Sequence, residues 1–184
     1  AARNLPESDT GVYYIKVENV SAIGSTYSMI LGADKAVNHE FELNDTPETA
    51  INLPQNIAMG GSLSEKLLSL DKDYYKINVP EDGALDITFS HEILEGDKNG
   101  WNIRVLREKD GEYYEIVKKI STWNSKDCVI ANLGLEKGEY YIAIDGDSLS
   151  YNSASYTLEW VLNPRKDFEI EPNGTMLNAK EING

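Results

Sequence analysis

Residues that build most catalytic and redox centres are scarce in this sequence. Its 184 residues include one cysteine, Cys128, and two histidines, His39 and His91. A single cysteine cannot form an internal disulfide, and the spacing of these three side chains does not match a zinc site. The sequence also lacks a nucleophile–base motif, a phosphate-binding glycine loop and a dinucleotide fingerprint. We therefore predict that the chain is not an enzyme.

Basic residues and long apolar runs are few as well. The chain has 17 Lys and Arg against 31 Asp and Glu, a formal charge of −14, which repels nucleic acid phosphates and anionic lipid head groups. No stretch reaches the roughly 18 apolar residues that a membrane-spanning helix needs. The first ten residues lack the basic and apolar regions of a signal peptide, so we expect any export signal to lie outside this sequence. The charge favours a hard cation as a partner, and excludes nucleic acid and membrane insertion.

Strand signals dominate what is present. In "DYYKINV", Tyr75, Ile77 and Val79 share one face, and turn signals such as "EKDG" at 108–111 separate such segments at hairpin spacing. The pattern predicts an all-β fold, an antiparallel β-sandwich with wet outer faces. One short helix is predicted in "TPETAINL", with Thr46 as its N-cap. The segments predicted as strands are 11–17, 25–31, 73–79, 84–90, 101–108, 113–120, 127–133, 139–144 and 155–162.

Pairs of adjacent tyrosines recur in four of these segments. Neighbouring side chains in a strand face opposite sides, so one ring of each pair is predicted to face the core and the other to face water. The pairs are Tyr13 and Tyr14, Tyr74 and Tyr75, Tyr113 and Tyr114, and Tyr140 and Tyr141.

A long-range repeat organises the chain. The acidic phrase "EFELNDTPETA" at 40–50 returns as "EIEPNGTMLNA" at 169–179, and a Tyr-Tyr segment and a Ser-Tyr segment precede each copy in the same order. Such periodicity is typical of tandem modules rather than of a duplicated active site. The predicted units are the C-terminal strands of a preceding repeat (1–34), one complete sandwich (38–163) and the opening segment of a following repeat (165–184).

The ordered motifs resemble the bacterial pre-peptidase C-terminal domain family, which is related to the collagen-binding domains of clostridial collagenases. The resemblance covers residues 40–163 and implies a jelly-roll type of β-sandwich in secreted or cell-surface proteins, commonly in tandem and beside a peptidase. The segments that carry it are "ELNDTPETA" at 42–50, "GGSL" at 60–63, "DKDYYKINV" at 71–79, "GEYYIAI" at 138–144 and "SYTLEWV" at 155–161.

The resemblance also implies a calcium site. Relatives bind calcium through the acidic opening and the loop before the Asp-aromatic strand. Ser62 and Leu70 stand where the collagenase relatives carry acidic residues, so one calcium ion is implied where those relatives hold two. The second copy of the phrase has Gly174 in place of aspartate, so a weaker, partial second site is expected there, at Glu169, Glu171 and Asn173. The matching positions of the first site are Glu40, Glu42, Asn44, Asp45, Asp71 and Asp73.

The residues by themselves leave two interpretations of the acidic phrase. Alternation places Glu40, Glu42 and Asn44 on one side of an extended segment, and a turn would bring Asp45 to them. Calcium accepts six to eight carboxylate, amide and backbone oxygens in irregular geometry. The same acids would also be stable as a solvated turn before a short helix, where each interacts favourably with the helix dipole.

Three roles fit this set of expectations. The first is adhesion to an extracellular protein or polysaccharide, although "YYIAIDG" is aliphatic and acidic where the collagenase relatives contact collagen, which argues against collagen. The second is a spacer or folding-assistance module beside a secreted peptidase, with no ligand other than calcium. The third, glycoside hydrolysis by paired carboxylates, requires only acids that are adjacent by chance. Residues 11–31 are predicted to pair with a neighbouring chain or pack on the complete module, because their own module is missing.

Overall fold

The computed structural model describes residues 15–17, 26, 28–30, 38–63, 71–91, 100–122, 125, 127–146, 155–164 and 168–174. Within these residues the chain forms strands and a single 3-10 turn, Pro47–Thr49. The strands are β1 (Ile51–Asn52), β2 (Met59–Ser62), β3 (Lys72–Val79), β4 (Gly83–His91), β5 (Trp101–Lys109), β6 (Glu112–Ser121), β7 (Asp127–Leu135), β8 (Gly138–Gly146) and β9 (Ser155–Asn163).

The strands are arranged in two sheets. The five-stranded sheet has the order β1-β3-β8-β5-β6, and the four-stranded sheet has the order β2-β9-β4-β7. Neighbours are antiparallel except β1, which pairs in parallel with β3. The predicted all-β, antiparallel sandwich is therefore confirmed.

The core lies between the sheets and follows the alternation of the sequence. Tyr75, Ile77 and Val79 of β3 are fully buried, and so are Ile87 and Phe89 of β4. Each of these strands therefore contributes every second residue to the interior, as its period of two predicts. Strand bounds agree with the predicted segments to within two residues from residue 72 onward.

Of the three tyrosine pairs in the described residues, one follows the predicted rule. Tyr74 is half-buried and Tyr75 is fully buried, but Tyr113 and Tyr114 are both exposed and Tyr140 and Tyr141 are both buried. Tyr113 and Tyr114 lie on β6, an edge strand. Tyr141 is buried on the outer face because Leu106 and Ala143 pack beside it and the Tyr113 ring meets it edge-on at 5.3 Å between centroids. The pair Tyr13 and Tyr14 lies outside the described residues.

The predicted helix is a single turn. The Thr46 backbone N–H donates to Thr49 Oγ1 at 3.2 Å, which closes the turn at its beginning. It ends at Thr49 because Ile51 and Asn52 immediately pair with Tyr75 and Lys76 of β3.

The described residues near the N-terminus, 15–17, 26 and 28–30, are exposed and lie outside strands. The strands predicted at 11–17 and 25–31 are thus not observed at these positions. A strand requires a partner strand for its backbone N–H and C=O groups, and the described residues of these segments take no part in either sheet. The other residues of 1–34 lie outside the described part, and pairing between chains stays a prediction. In the described residues, no helix is long and apolar enough to cross a membrane.

Candidate metal centre

The first copy of the acidic phrase is held by backbone hydrogen bonds between β2 and β3. The Gly60 N–H donates to the Asn38 carbonyl at 2.8 Å, and the Glu40 N–H donates to the Gly60 carbonyl at 2.9 Å. Four residues later, the Tyr74 N–H donates to the Asn44 carbonyl at 2.9 Å. These bonds fix the side chains of the phrase against the end of the sandwich where β3 begins.

Glu40 is an anchor of this arrangement. The residue is 2% exposed, and its carboxylate accepts four hydrogen bonds, which fill most of its acceptor capacity. Oε1 accepts from the Ser62 N–H at 2.5 Å, and Oε2 accepts from Tyr75 at 2.7 Å, Tyr156 at 3.1 Å and Asn44 Nδ2 at 3.2 Å. The carboxylate therefore holds Asn44 and the two tyrosine hydroxyls in place, and its own role as a metal ligand stays a prediction.

The two tyrosine hydroxyls beside Glu40 make more polar contacts than they have protons to donate. Tyr75 and Tyr156 contact each other at 2.7 Å, both contact Glu40, and Tyr156 lies 2.5 Å from Asp73 Oδ2. Two hydroxyl protons can serve only two of these four contacts. A proton on the Asp73 carboxyl group would serve a third.

A cluster of three carboxylates adjoins this network. One carboxylate oxygen from each of Glu42, Asp45 and Asp71 lies within 4.8 Å of the other two. Asp71 is 3% exposed, while Glu42 and Asp45 are half-buried. The acidic phrase and the loop before β3 therefore meet in space, and in the described part of the chain this is the one such group of His, Cys, Asp or Glu side chains.

Two buried oxygens beside the cluster lack a hydrogen-bond donor. Asn44 donates from its amide Nδ2 to Glu40, so its amide Oδ1 is the atom that would need a donor. Within the described residues, neither this oxygen nor Asp73 Oδ1 accepts a hydrogen bond. Buried polar atoms of this kind are rare in folded proteins and need a partner, and a cation provides one.

The electrostatics of the site point the same way. Burial, and next the charge of Glu40, raise the pKa of Asp73 to about 10, and the charges of Asp71 and Glu42 add to this shift. Burial also raises the pKa of Glu40, against the hydrogen bonds that it accepts from Tyr75, Ser62, Asn44 and Tyr156. The charges that act on Asp73 are all negative. A divalent cation would reverse this balance by favouring the ionised carboxylates, so the residues fit a hard cation with oxygen ligands.

The second copy of the phrase is arranged differently. Glu169 is exposed, Glu171 and Asn173 are half-buried, and the Asn173 N–H donates to Glu171 Oε2 at 2.7 Å. That bond closes a turn between neighbouring residues. The partial second metal site stays a prediction.

Sequence reasoning missed the tyrosines of the site. Tyr75 and Tyr156 both belong to the core, and their hydroxyls also contact the buried acids. The available signal is general: a buried tyrosine hydroxyl usually has a polar partner.

A histidine–serine pair also escaped sequence reasoning. His91 Nε2 lies 3.1 Å from Ser121 Oγ. Both residues are buried, at 4% and 2% exposure, and the His91 ring packs against Phe89 and Trp101. The pair therefore lies in the buried interior, where the His91 ring is next to aromatic rings.

The similarities to known proteins were found among solved structures. No protein-family model matches the sequence, and no curated protein matches it. The chain is similar to the pre-peptidase C-terminal domain of collagenase from Bacillus anthracis, with 19% identity and a TM-score of 0.41 over 64% of this chain and 99% of that one. It is also similar to a protein from Sulfurospirillum deleyianum, with 10% identity and a TM-score of 0.40 over 61% of this chain and 100% of that one. The first of these belongs to the family that the sequence motifs resemble.

Proposed function

We propose that this chain is a non-catalytic, calcium-stabilised β-sandwich module of a secreted or cell-surface bacterial protein, and that it serves adhesion to an extracellular polymer. The calcium proposal is carried by a cluster of three carboxylates, those of Glu42, Asp45 and Asp71. Two buried oxygens that lack a hydrogen-bond donor, Asn44 Oδ1 and Asp73 Oδ1, accompany this cluster. Secretion and the bacterial source rest on the family resemblance of the sequence.

Calcium suits this donor set better than other common cations. The five residues offer carboxylate and amide oxygens only, whereas zinc favours histidine and cysteine ligands. Magnesium demands a near-ideal octahedron and keeps several waters, while calcium tolerates six to eight oxygens in irregular geometry. The chain would supply Glu42, Asp45, Asp71, Asn44 and Asp73, with Glu40 positioning Asn44 through its hydrogen bond.

Bound calcium would act on stability rather than on chemistry. It offsets the mutual repulsion of the acids and supplies the missing partner of the buried oxygens. If it binds only the folded state, a thousandfold excess over its dissociation constant adds about 4 kcal/mol to the free energy of unfolding. A typical domain has only about 5 to 15 kcal/mol in total, so the ion would decide whether the module remains folded.

The adhesive role rests on surface composition and is separate from the metal. Tyr114 and Ile120 of the edge strand β6 are 50% and 54% exposed, and Val129 of β7 is 39% exposed. Aromatic and aliphatic side chains on an accessible edge are common at binding surfaces. The alternative role, a spacer beside a peptidase, needs calcium but no such surface.

Thermal unfolding tests the calcium proposal. The full chain is melted in chelator, in excess calcium and in excess magnesium, and the heat of calcium binding is measured by calorimetry. We expect calcium to raise the Tm by on the order of 10 °C, with a smaller effect of magnesium. An unchanged Tm together with no binding heat would refute the site.

A glycan array and a collagen-binding measurement on the same chain test adhesion. Binding to a glycan that is reduced by Tyr114→Ala, but not by Glu81→Gln at an exposed acid in the β3–β4 turn, would support the adhesive role. If the chain binds neither the glycans on the array nor collagen, the adhesive role is refuted and the spacer role is left.

A further inference from the structure

Each edge of the four-stranded sheet carries a glycine that is covered by a copy of the acidic phrase. Gly60 lies in the edge strand β2, and Gly134 lies in the opposite edge strand β7. Residues 38–40 cross the first glycine, and residues 168–171 cross the second.

The contacts at Gly60 have two parts. The Glu40 N–H donates to the Gly60 carbonyl, and the ring of His39 occupies the space where a side chain at Gly60 would begin. A Cβ added at Gly60 would lie 2.6 Å from His39 Nε2, closer than real Cβ contacts come. An aromatic ring and a backbone N–H thus meet the edge strand at a residue that has no side chain.

The contacts at Gly134 repeat this pattern with the second copy of the phrase. The Glu171 N–H donates to the Gly134 carbonyl at 2.8 Å. A Cβ added at Gly134 would lie 2.7 Å from Phe168 Cδ2 and 1.7 Å from the Glu169 carbonyl oxygen. His39 and Phe168 hold equivalent positions, each immediately before the first glutamate of its copy. The hydrogen bond differs by two residues, since Glu40 donates in one copy and Glu171 in the other.

Backbone conformation does not explain either glycine. Among the described glycines, Gly111 and Gly138 have positive φ angles, whereas Gly60 and Gly134 do not. A glycine in a strand interior weakens the strand unless another backbone approaches closely. Close approach of the acidic phrase is what both positions have in common.

We infer that the β7 edge around Gly134 is a docking site for the opening phrase of a following copy of this module, with residues 168–173 as its occupant. The docked segment also lines a groove together with the β5–β6 hairpin, and Ile170, Pro172, Tyr114 and Ile116 are among the residues that line it. Successive copies would then be joined at a fixed place on the sandwich, and the link would not depend on calcium.

Hydrogen exchange of the full chain tests this site. The Glu171 amide should exchange at least about tenfold more slowly than an unstructured amide, because it donates to Gly134. In Gly134→Ala this protection should disappear, while the amides of the central strand β8 stay protected. The matched control is Gly174→Ala, where a Cβ meets nothing within 4 Å, and it should leave Glu171 unchanged.

Two outcomes would overturn the inference. The first is free exchange of the Glu171 amide in the unsubstituted chain, and the second is a Glu171 amide that is as well protected in Gly134→Ala as in the unsubstituted chain. If Gly134→Ala also weakens the protection of β8, Phe168→Ala decides the matter, since Phe168 lies outside the strands. It should accelerate Glu171 exchange by about threefold or more with β8 unaffected, and unchanged exchange in that variant would refute the docking site. All measurements are made in calcium and in chelator, so that loss of the metal site and loss of docking are distinguished.

Discussion

The hydroxyl of Tyr156 and the carboxyl group of Asp73 lie 2.5 Å apart in the interior. Tyr156 belongs to β9 of the four-stranded sheet, and Asp73 belongs to β3 of the five-stranded sheet. The same hydroxyl contacts Glu40 of the acidic phrase. One tyrosine therefore joins both sheets to the segment that carries the candidate metal ligands, and the stability of the metal site and of the core should be coupled.

Replacing Tyr156 with phenylalanine should destabilise the module. The variant keeps the ring in the core but removes the hydroxyl that contacts Glu40, Asp73 and Tyr75 and that donates its proton to one of them. Buried acceptors that lose a donor cost about 1 to 3 kcal/mol, which urea denaturation would detect. The control is Tyr114→Phe, whose exposed hydroxyl donates to the neighbouring Glu112, and it should change stability by less than about 0.5 kcal/mol. Equal losses in the two variants would contradict the coupling.

Replacing Asp71 with asparagine should selectively remove the effect of calcium. In chelator the loss should be small, about 1 kcal/mol or less, because the change also removes one negative charge from an acidic cluster. A hundredfold weaker calcium affinity would remove about 2.7 kcal/mol of the stabilisation by calcium. Asp110→Asn is the matched control, since Asp110 is an exposed turn residue whose positive φ angle asparagine also accepts. A full calcium response in Asp71→Asn would rule Asp71 out as a ligand.

The two arginine–carboxylate pairs on β5 should differ in their contribution to stability. Arg104 pairs with Asp145, which is nearly buried and also accepts a hydrogen bond from Asn102 at 2.7 Å. Asp145→Ala should therefore cost about 3 to 5 kcal/mol, because it leaves a largely buried guanidinium uncompensated.

The comparison is Glu136→Ala, which breaks the more exposed pair with Arg107, whose side chains are 38% and 45% exposed. This change should cost about 1 kcal/mol or less. Denaturant unfolding of both variants checks the contrast, and losses of similar size would show that burial does not separate the pairs.

Replacing Gly111 with alanine should destabilise the β5–β6 hairpin through backbone conformation alone. Gly111 has a φ of 80°, and a Cβ there would meet nothing within 4 Å. An L-residue in this conformation costs about 1 to 2 kcal/mol. Gly174→Ala should cost almost nothing, since that position is equally open and lacks a positive φ. A stable Gly111→Ala variant would show that the turn can change its type.

The sequence predicts the sandwich well because the alternation of residues within a long strand indicates which of its side chains are buried. Tyr75, Ile77 and Val79 alternate with polar residues, and the structure buries all three. The same rule fails for Tyr140 and Tyr141, which are both buried. The outer face of β8 is covered by residues from other strands, and alternation within one strand contains no information about such cover.

The site is less predictable than the fold. The acidic phrase identifies its own acids, and the resemblance adds Asp71 and Asp73. However, Glu40 accepts from Tyr75 and Tyr156, which are 35 and 116 residues away. Local spacing cannot distinguish a carboxylate with four donors from one that is available to a metal. That distinction arises only when β2, β3 and β9 are brought together.

The positions of the two phrases on opposite edges of one sheet determine how the module would respond to a pulling force. Tension applied along the chain would enter at β2, through residues 38–40, and leave at β7, through residues 168–171. The load would therefore pass across β9 and β4, whose pairing spans eight residues from Ala84 to His91. The first phrase is also bonded to β3, through the Asn44 carbonyl and the Glu40 carboxylate, so part of the load at the entry would reach the five-stranded sheet.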